Sequence, residues 1–478
     1  MNIPAPNLTI PNDDPFKNDV LGRSKIEPPL TQLISRSSHS FVMSIDGALG
    51  TGKTTFLEMW SKKLIQEKHI CLKFNAWETD FAADPLIVLV KELSEKLKEM
   101  SSTFDPKLVD RLLSVTGTIA KRSIPVVVRL LSSGVLDGSG IEKEVSNLTG
   151  KLAEDSINAY EESKSAITEF RELLNKLVKE NIEQDKNRKI ILIIDELDRC
   201  RPSYAIELLE RVKHLFDIDG VIFILGIDRT QLAESVKALY GSNFDARGYL
   251  KRFIDLDYSL PEPENNYCQY LFKHFEVNRL LNENESTRGS VIREEAEKLL
   301  GMLFKASNFS LRDQIQTVSR LSIVLKTIPV RQKIYLNGLF ILLFLREWNR
   351  EIYNGLIESS IDSEEILKKL DVILNRLDKR TKEDTSCDYL PSKVEAELMI
   401  GIAEINKDDQ RQPIPPERFN RYTNESFDRG TRARKTAEYL KILLDHDLSF
   451  QNYNPYNLIV GFEISKRYLE ILNQFNDN

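Results

Sequence analysis

Cysteine is scarce in this chain. Cys71, Cys200, Cys268 and Cys387 are the only four in 478 residues, and no two of them have C-x-x-C spacing. Neither a disulfide framework nor a cysteine zinc site is suggested, and a reducing compartment is the expectation. The five histidines include no H-E-x-x-H, which removes the helical zinc-hydrolase pattern. Long apolar runs are also missing: residues 123–135 are interrupted by Arg129, and residues 334–345 end before Arg346. A membrane span needs about 20 predominantly apolar residues, so both stretches read as buried or amphipathic helices. The opening residues, MNIPAPNLTIPNDDPF, carry no basic segment followed by an apolar run, which argues against secretion. Nor is positive charge in excess. A net charge of -7 with 29% charged residues describes a soluble, cytoplasmic, mildly acidic protein and argues against broad non-specific nucleic-acid binding, though a local basic face is compatible with it.

What the chain does contain is concentrated in FVMSIDGALGTGKTTFLEMW, residues 41–60. The apolar run at its start suits a buried parallel strand, and Gly47, Gly52, Lys53 and Thr54 fill G-x-x-x-x-G-K-[ST]. A triphosphate has to be wrapped by backbone N–H groups, so the chain must approach closely and turn where only glycine is unstrained. Gly47, Gly50, Thr51, Gly52, Lys53, Thr54 and Thr55 are therefore the candidate cradle. Lys53 is placed to reach the β and γ phosphates, Thr54 to offer a hydroxyl to Mg²⁺, and the helix that follows points its positive end at the same anion.

Residues 1–18 read as an extended arm. An apolar-Gly-Arg element, Leu21-Gly22-Arg23, is either part of an adenine pocket or an ordinary capping turn, and a helix is expected over 30–37. A second strand is expected over 70–74, ending in Asn75-Ala76-Trp77-Glu78. Polar groups at that end fall where open α/β sheets place ligands, but the residues alone favour Trp77 as a core aromatic with Asn75 and Glu78 capping the next element. Residues 85–182 are almost wholly helical in pattern, too long for one crossover helix, with a Gly/Ser-rich middle at 134–150 that suggests a hairpin tip.

The aliphatic run at 190–194 then ends in Asp195-Glu196-Leu197-Asp198-Arg199. An acidic residue at such a strand tip can hold Mg²⁺ through water opposite Thr54, and the next carboxylate can orient and deprotonate the attacking water. Asp195 is the candidate metal residue and Glu196 the candidate general base. A further buried strand, 221–226, leads to Asp228, either a γ-phosphate sensor or a simple turn residue. Arg252, before a last strand expected over 253–260, is either a finger completing a neighbouring subunit's site or a surface residue. Arg312, at a helix start, is either a lid arginine or part of a capping turn. Residues 406–434 are polar, and the cluster over 411–435 could face nucleic acid or an acidic partner, or be a solvated surface.

The assembled motifs resemble the KAP family of P-loop NTPases. The resemblance rests on Gly47-A-L-G-T-Gly52-Lys53-Thr54-Thr55, Phe74-Asn75-Ala76-Trp77-Glu78, Ile193-Ile194-Asp195-Glu196-Leu197-Asp198-Arg199-Cys200 and Val221-Ile222-Phe223-Ile224-Leu225-Gly226-Ile227-Asp228, and covers roughly residues 15–330. It implies an ATPase of the additional-strand class, related to AAA+ and NACHT-type switches, with prokaryotic members in mobile elements and antiviral defence beside partner genes. Many members thread transmembrane helices through the insertion between the two nucleotide motifs. Residues 85–182 contain no such run, so membrane anchoring is not carried over.

The expected fold is α/β, a P-loop NTPase with a mainly parallel sheet, a helical insertion between Walker A and Walker B, and a helical C-terminal region. The expected divisions are an arm at 1–18, a core at 19–84 and 183–261, the insertion at 85–182, a helical lid at 262–330, and a mostly helical domain at 331–478. The cofactors are ATP and Mg²⁺; no N-K-x-D guanine element follows Asp198. The expected activity drives or resets a conformational state, with protein partners encoded nearby and a possible homo-oligomer. Two rivals are a nucleotide-gated scaffold with negligible turnover and a DNA-processing ATPase.

Overall fold

Every residue of the strand Ile190–Asp195 is buried, because both of its faces are covered. Alternate side chains go to different cores. Ile190, Leu192 and Ile194 pack on one side with residues of the helical insertion, while Ile191 and Ile193 pack on the other with Phe56, Leu57, Trp60 and Leu64. This is a computed structural model, and it describes residues 8–82, 84–99, 104–121, 151–184, 187–215, 218–263, 267–283, 290–328, 336–358 and 369. They fall into two units, one of them Leu8–Pro263 and the other taking in the described residues from Tyr267 onward.

In the first unit the strands are β1 (Phe41–Asp46), β2 (Ile70–Asn75), β3 (Ile190–Asp195), β4 (Val221–Ile227) and β5 (Leu256–Ser259). They form one sheet in the order β2-β3-β4-β1-β5, parallel throughout. β4 thus stands between the strand that carries the glycine loop and the strand that carries the acidic tip, the added strand that the family resemblance implies. Parallel ladders bring all five C-terminal ends to one edge. One row of that edge reads Asn75, Asp195, Gly226, Ile45 and Tyr258 across the sheet.

The helices of this unit are α1 (Glu27–Arg36), α2 (Lys53–Gln66), α3 (Pro85–Glu99), α4 (Pro106–Lys121), α5 (Lys151–Gln184), α6 (Pro202–Leu215), α7 (Arg229–Tyr240) and α8 (Ala246–Leu250). α3, α4 and α5 lie between β2 and β3 in the chain. They share an apolar core that includes Leu89, Leu93, Leu112, Phe170 and Leu174, with a buried hydroxyl pair, Ser94 to Thr116 at 2.9 Å. The arm is strapped to α2: Lys62 donates to Ile10 O at 2.6 Å, and Phe16 packs on Phe56 with ring centroids 6.5 Å apart.

Two sequence expectations change in this unit. The last strand is shorter than 253–260, because Phe253 and Ile254 both donate to Leu250 O and so continue the turn after α8. Trp77 is 54% exposed and does not belong to the core. The Gly/Ser-rich middle at 134–150 lies outside the described residues, as does the basic cluster at 411–435.

The second unit is helical among its described residues: α9 (Tyr267–His274), α10 (Val277–Glu283), α11 (Ser290–Ala306), α12 (Leu311–Thr327), α13 (Leu336–Trp348) and α14 (Arg350–Glu358). Its core includes Phe272, Leu281, Phe304, Leu321, Phe340 and Phe344. Among the described residues, no helix is long and apolar enough to cross a membrane.

Candidate functional site

The glycine loop follows β1 directly. Gly47 N–H donates to Ile227 O at 3.2 Å, which ties the loop to the end of β4. A Cβ at Gly47 would stand 2.8 Å from Thr51 Oγ1, so a larger residue there would have to displace that hydroxyl. Gly50 and Gly52 have φ of 79° and 87°, in the left-handed region that strains other residues. α2 starts at Lys53 with Gly52 as its N-cap and receives no side-chain cap. Its first-turn N–H groups therefore have neither an intrahelical nor a capping partner, which is the arrangement that suits a phosphate. The buried Lys53 folds over the loop, its Nζ donating to Gly47 O and, at 3.2 Å, to Ala48 O.

The acidic tip faces the loop across β4. Asp195 is 2% exposed, and one carboxylate oxygen, Oδ1, accepts from Glu196 N–H at 2.9 Å. The other, Oδ2, is buried with no hydrogen-bond partner, and the Thr54 hydroxyl lies close enough to favour the charged carboxylate. Burial raises the Asp195 carboxyl above its usual range, against the opposing pull of Thr54, Lys73 and the Glu196 N–H. A buried acceptor with spare capacity beside a threonine hydroxyl fits a hard cation.

Glu196 itself has φ 63° and ψ 25°, an uncommon conformation for a side chain of this size. It caps a 3₁₀ turn, Leu197–Arg199. Its carboxylate forms an ion pair with Arg199 at 2.8 Å and accepts from Asn75 Nδ2 at 3.3 Å.

The KAP family P-loop domain matches residues 23–340, more than half of the chain. This chain belongs to the KAP family. Its "Phage T7 exclusion protein" relative, from Escherichia coli strain K12, is 26% identical over 238 residues, covering 47% of this chain and 30% of that protein. The archaeal relative, "Uncharacterized protein MJ0182" of Methanocaldococcus jannaschii, is 27% identical over 182 residues, covering 33% of this chain and 90% of that protein. The chain thus spans less than a third of the first relative's length. A solved structure of the Aeropyrum pernix ORC2 protein in ADPNP–ADP complexes aligns over 94% of each chain at 13% identity with a TM-score of 0.31.

Within the KAP domain the sheet edge gathers three residues to which the motifs assigned no separate role. Asp198 is half-buried. Burial raises its carboxyl, and Lys53 and the nearby Asp228 N–H pull it the other way. It thus links the acidic tip to the loop lysine and the end of β4. Gly226 is the second: a Cβ there would lie 2.5 Å from Asp195 Oδ1 and 2.5 Å from Leu57 Cδ1. Gly226→Ala is therefore expected to displace the acidic tip and lower stability by about 1–3 kcal/mol, seen as a lower midpoint in urea unfolding of the full chain. An unchanged midpoint would mean that the tip has room to yield. Arg23 is the third. It is 3% exposed and donates to Pro261 O after β5 and to Thr51 O in the loop, the latter at 3.4 Å.

The remaining candidates are placed as follows. Leu21 and Gly22 lie in a turn organised by Asp19, which accepts from Leu21 N–H at 3.1 Å and Ser24 N–H at 2.7 Å. Asp228 caps α7, Oδ1 accepting from Thr230 N–H at 3.0 Å and Gln231 N–H at 3.2 Å. Its side chain is buried at the same sheet edge. Thr51 Oγ1 donates to Ala48 O at 2.8 Å, and Thr55 stands in the first turn of α2. Arg252 is exposed, with its guanidinium 5.8 Å from the Tyr249 ring. Arg312 belongs to the second unit, exposed in the first turn of α12, where Ser310 and Asp313 form a capping box.

Proposed function

We propose that this KAP-family chain binds Mg-ATP at the described edge of the sheet and hydrolyses it. The observation that carries this reading is the Asp195 carboxylate, buried beside Thr54 with one oxygen short of a partner. Thr54 and Asp195 would hold Mg²⁺, the latter through water, while Gly50, Thr51, Gly52 and the first turn of α2 surround the phosphates. The metal, when bound, neutralises charge on the β and γ phosphate oxygens. Lys53 exchanges its loop carbonyls for phosphate oxygens. Glu196 orients water for attack on the γ phosphorus and takes its proton as the bond to ADP breaks. Asp228 senses the γ phosphate, and Leu21 and Gly22 border the adenine. Arg252 serves as a finger.

The biological setting proposed is a prokaryotic antiviral or mobile-element system, in which hydrolysis drives or resets a conformational state shared with protein partners. The likeness to the phage T7 exclusion protein supports this setting. The test is calorimetric titration of the full chain with Mg-ATP, followed by phosphate release. Saturable heat that is weakened by removing Mg²⁺ is expected. No heat with Mg-ATP would end the proposal. Plaque counts on cells carrying the gene and its neighbours, with and without Lys53→Ala, test the setting separately.

A further inference from the structure

Glu196 is not free to act as it stands. Its Oε1 side is occupied by Arg199 at 2.8 Å and its Oε2 by Asn75 at 3.3 Å. The first contact is built into the local geometry. A 3₁₀ turn has three residues per turn and eclipses side chains at i and i+3, so the turn Leu197–Arg199 stacks Arg199 over the residue that caps it. The guanidinium is held from the other side as well: it lies 5.9 Å from the centroid of the Trp77 ring, within cation–π range. Trp77 follows β2, the strand next to β3, and its own N–H is fixed by Asn75 Oδ1 at 3.1 Å.

The two loops are locked together around this contact. Arg201 Nε donates to Asp80 Oδ1 at 3.0 Å, Arg201 N–H to Asp80 Oδ2 at 3.0 Å, and the hydroxyls of Thr79 and Tyr204 meet at 2.9 Å. The Trp77 indole is 54% exposed and lies outside the core, with the Arg199 guanidinium on its ring. Its contact with Arg199 is what the position supplies.

We propose that Arg199 is a positioning residue that restrains Glu196 in the resting state, with the Trp77 ring holding the arginine in place. This rests on the reading of Glu196 as the base. With Arg199 on one oxygen and Asn75 on the other, the carboxylate must leave the ion pair before it can turn toward a water. Side-chain exposures of 31% for Arg199 and 15% for Glu196 leave the pair partly solvated, so the restraint is reversible.

The test compares kcat and KM for Mg-ATP in the full chain and in Arg199→Gln, Trp77→Ala, Trp77→Phe and Arg199→Gln combined with Glu196→Gln. Arg199→Gln is expected to raise turnover about 2- to 5-fold, the range of a partly exposed ion pair. The gain is expected in kcat with KM for Mg-ATP unchanged, because the restraint acts on Glu196 and not on nucleotide binding. Trp77→Ala should raise kcat in the same direction by less, and Trp77→Phe, which keeps an aromatic platform, should stay near the parent. The combined variant should be silent, since the gain runs through Glu196. Unchanged or reduced turnover in both Arg199→Gln and Trp77→Ala, with Trp77→Phe folded and active, would overturn the restraint while leaving Glu196 as the base. Full turnover in the combined variant would instead remove Glu196 from that role, and the restraint with it.

Discussion

Glu196→Gln is expected to bind Mg-ATP about as tightly as the parent chain and to hydrolyse it about 10²- to 10⁴-fold more slowly, the usual loss when a general base is removed. The substitution is nearly isosteric, and the hydrogen bond from position 196 to Asp195 Oδ1 comes from the backbone, so the metal residue keeps its partner. The left-handed turn at position 196 is likewise a backbone feature and does not depend on the carboxylate. What disappears is an oxygen that can accept a proton from water. Calorimetry reports binding and phosphate release reports hydrolysis, so the two effects separate cleanly. Normal hydrolysis by the variant would assign the proton transfer to another group, and Asp198, half-buried beside Lys53, would be the first to examine.

The sheet was legible because its strands are short aliphatic runs that end in polar residues, and runs of this kind are buried on both faces. Residues 190–195 show this most plainly, with no exposed position. The glycine loop was legible because phosphate wrapping restricts residue type at fixed spacing. Trp77 was misjudged for a physical reason. Indole is usually buried, and only the three-dimensional placement of Arg199 provides a different partner for it. Gly226 escaped notice because its importance depends on β4 lying beside β3, which brings Asp195 and Gly226 into register. Arg23 shows the same limit, since its acceptor Pro261 is distant in sequence and the contact exists only once β5 joins the edge of the sheet. The boundary at the last strand shifted because a tight turn used Phe253 and Ile254 first.

The other large effect is expected from Lys53→Ala: loss of about 2–5 kcal/mol of Mg-ATP binding, the range for truncating one partner of a buried charge contact. In Kd that is about 30-fold or more, beyond detection for a site of ordinary affinity. The lysine is placed for this role before any phosphate arrives. Its aliphatic stem packs against the loop, where a Cβ at Gly47 would approach Lys53 Cγ at 3.5 Å, and its ammonium rests on the Gly47 and Ala48 carbonyls. Removing it has a second consequence that does not involve nucleotide. Burial already raises the Asp198 carboxyl, and Lys53 is the largest influence opposing that rise. Without the lysine the folded-state value moves further above the unfolded one, so ionised Asp198 destabilises the fold more. For a carboxyl raised in the folded state, stability is retained at pH below the unfolded value and lost as pH climbs through the folded one. The Tm deficit of Lys53→Ala relative to the parent is therefore expected to be larger at neutral pH than in mild acid, measured without nucleotide. A deficit that does not change with pH would show that Lys53 and Asp198 are not electrostatically coupled, and retained Mg-ATP binding would show that the loop lysine is not the phosphate ligand.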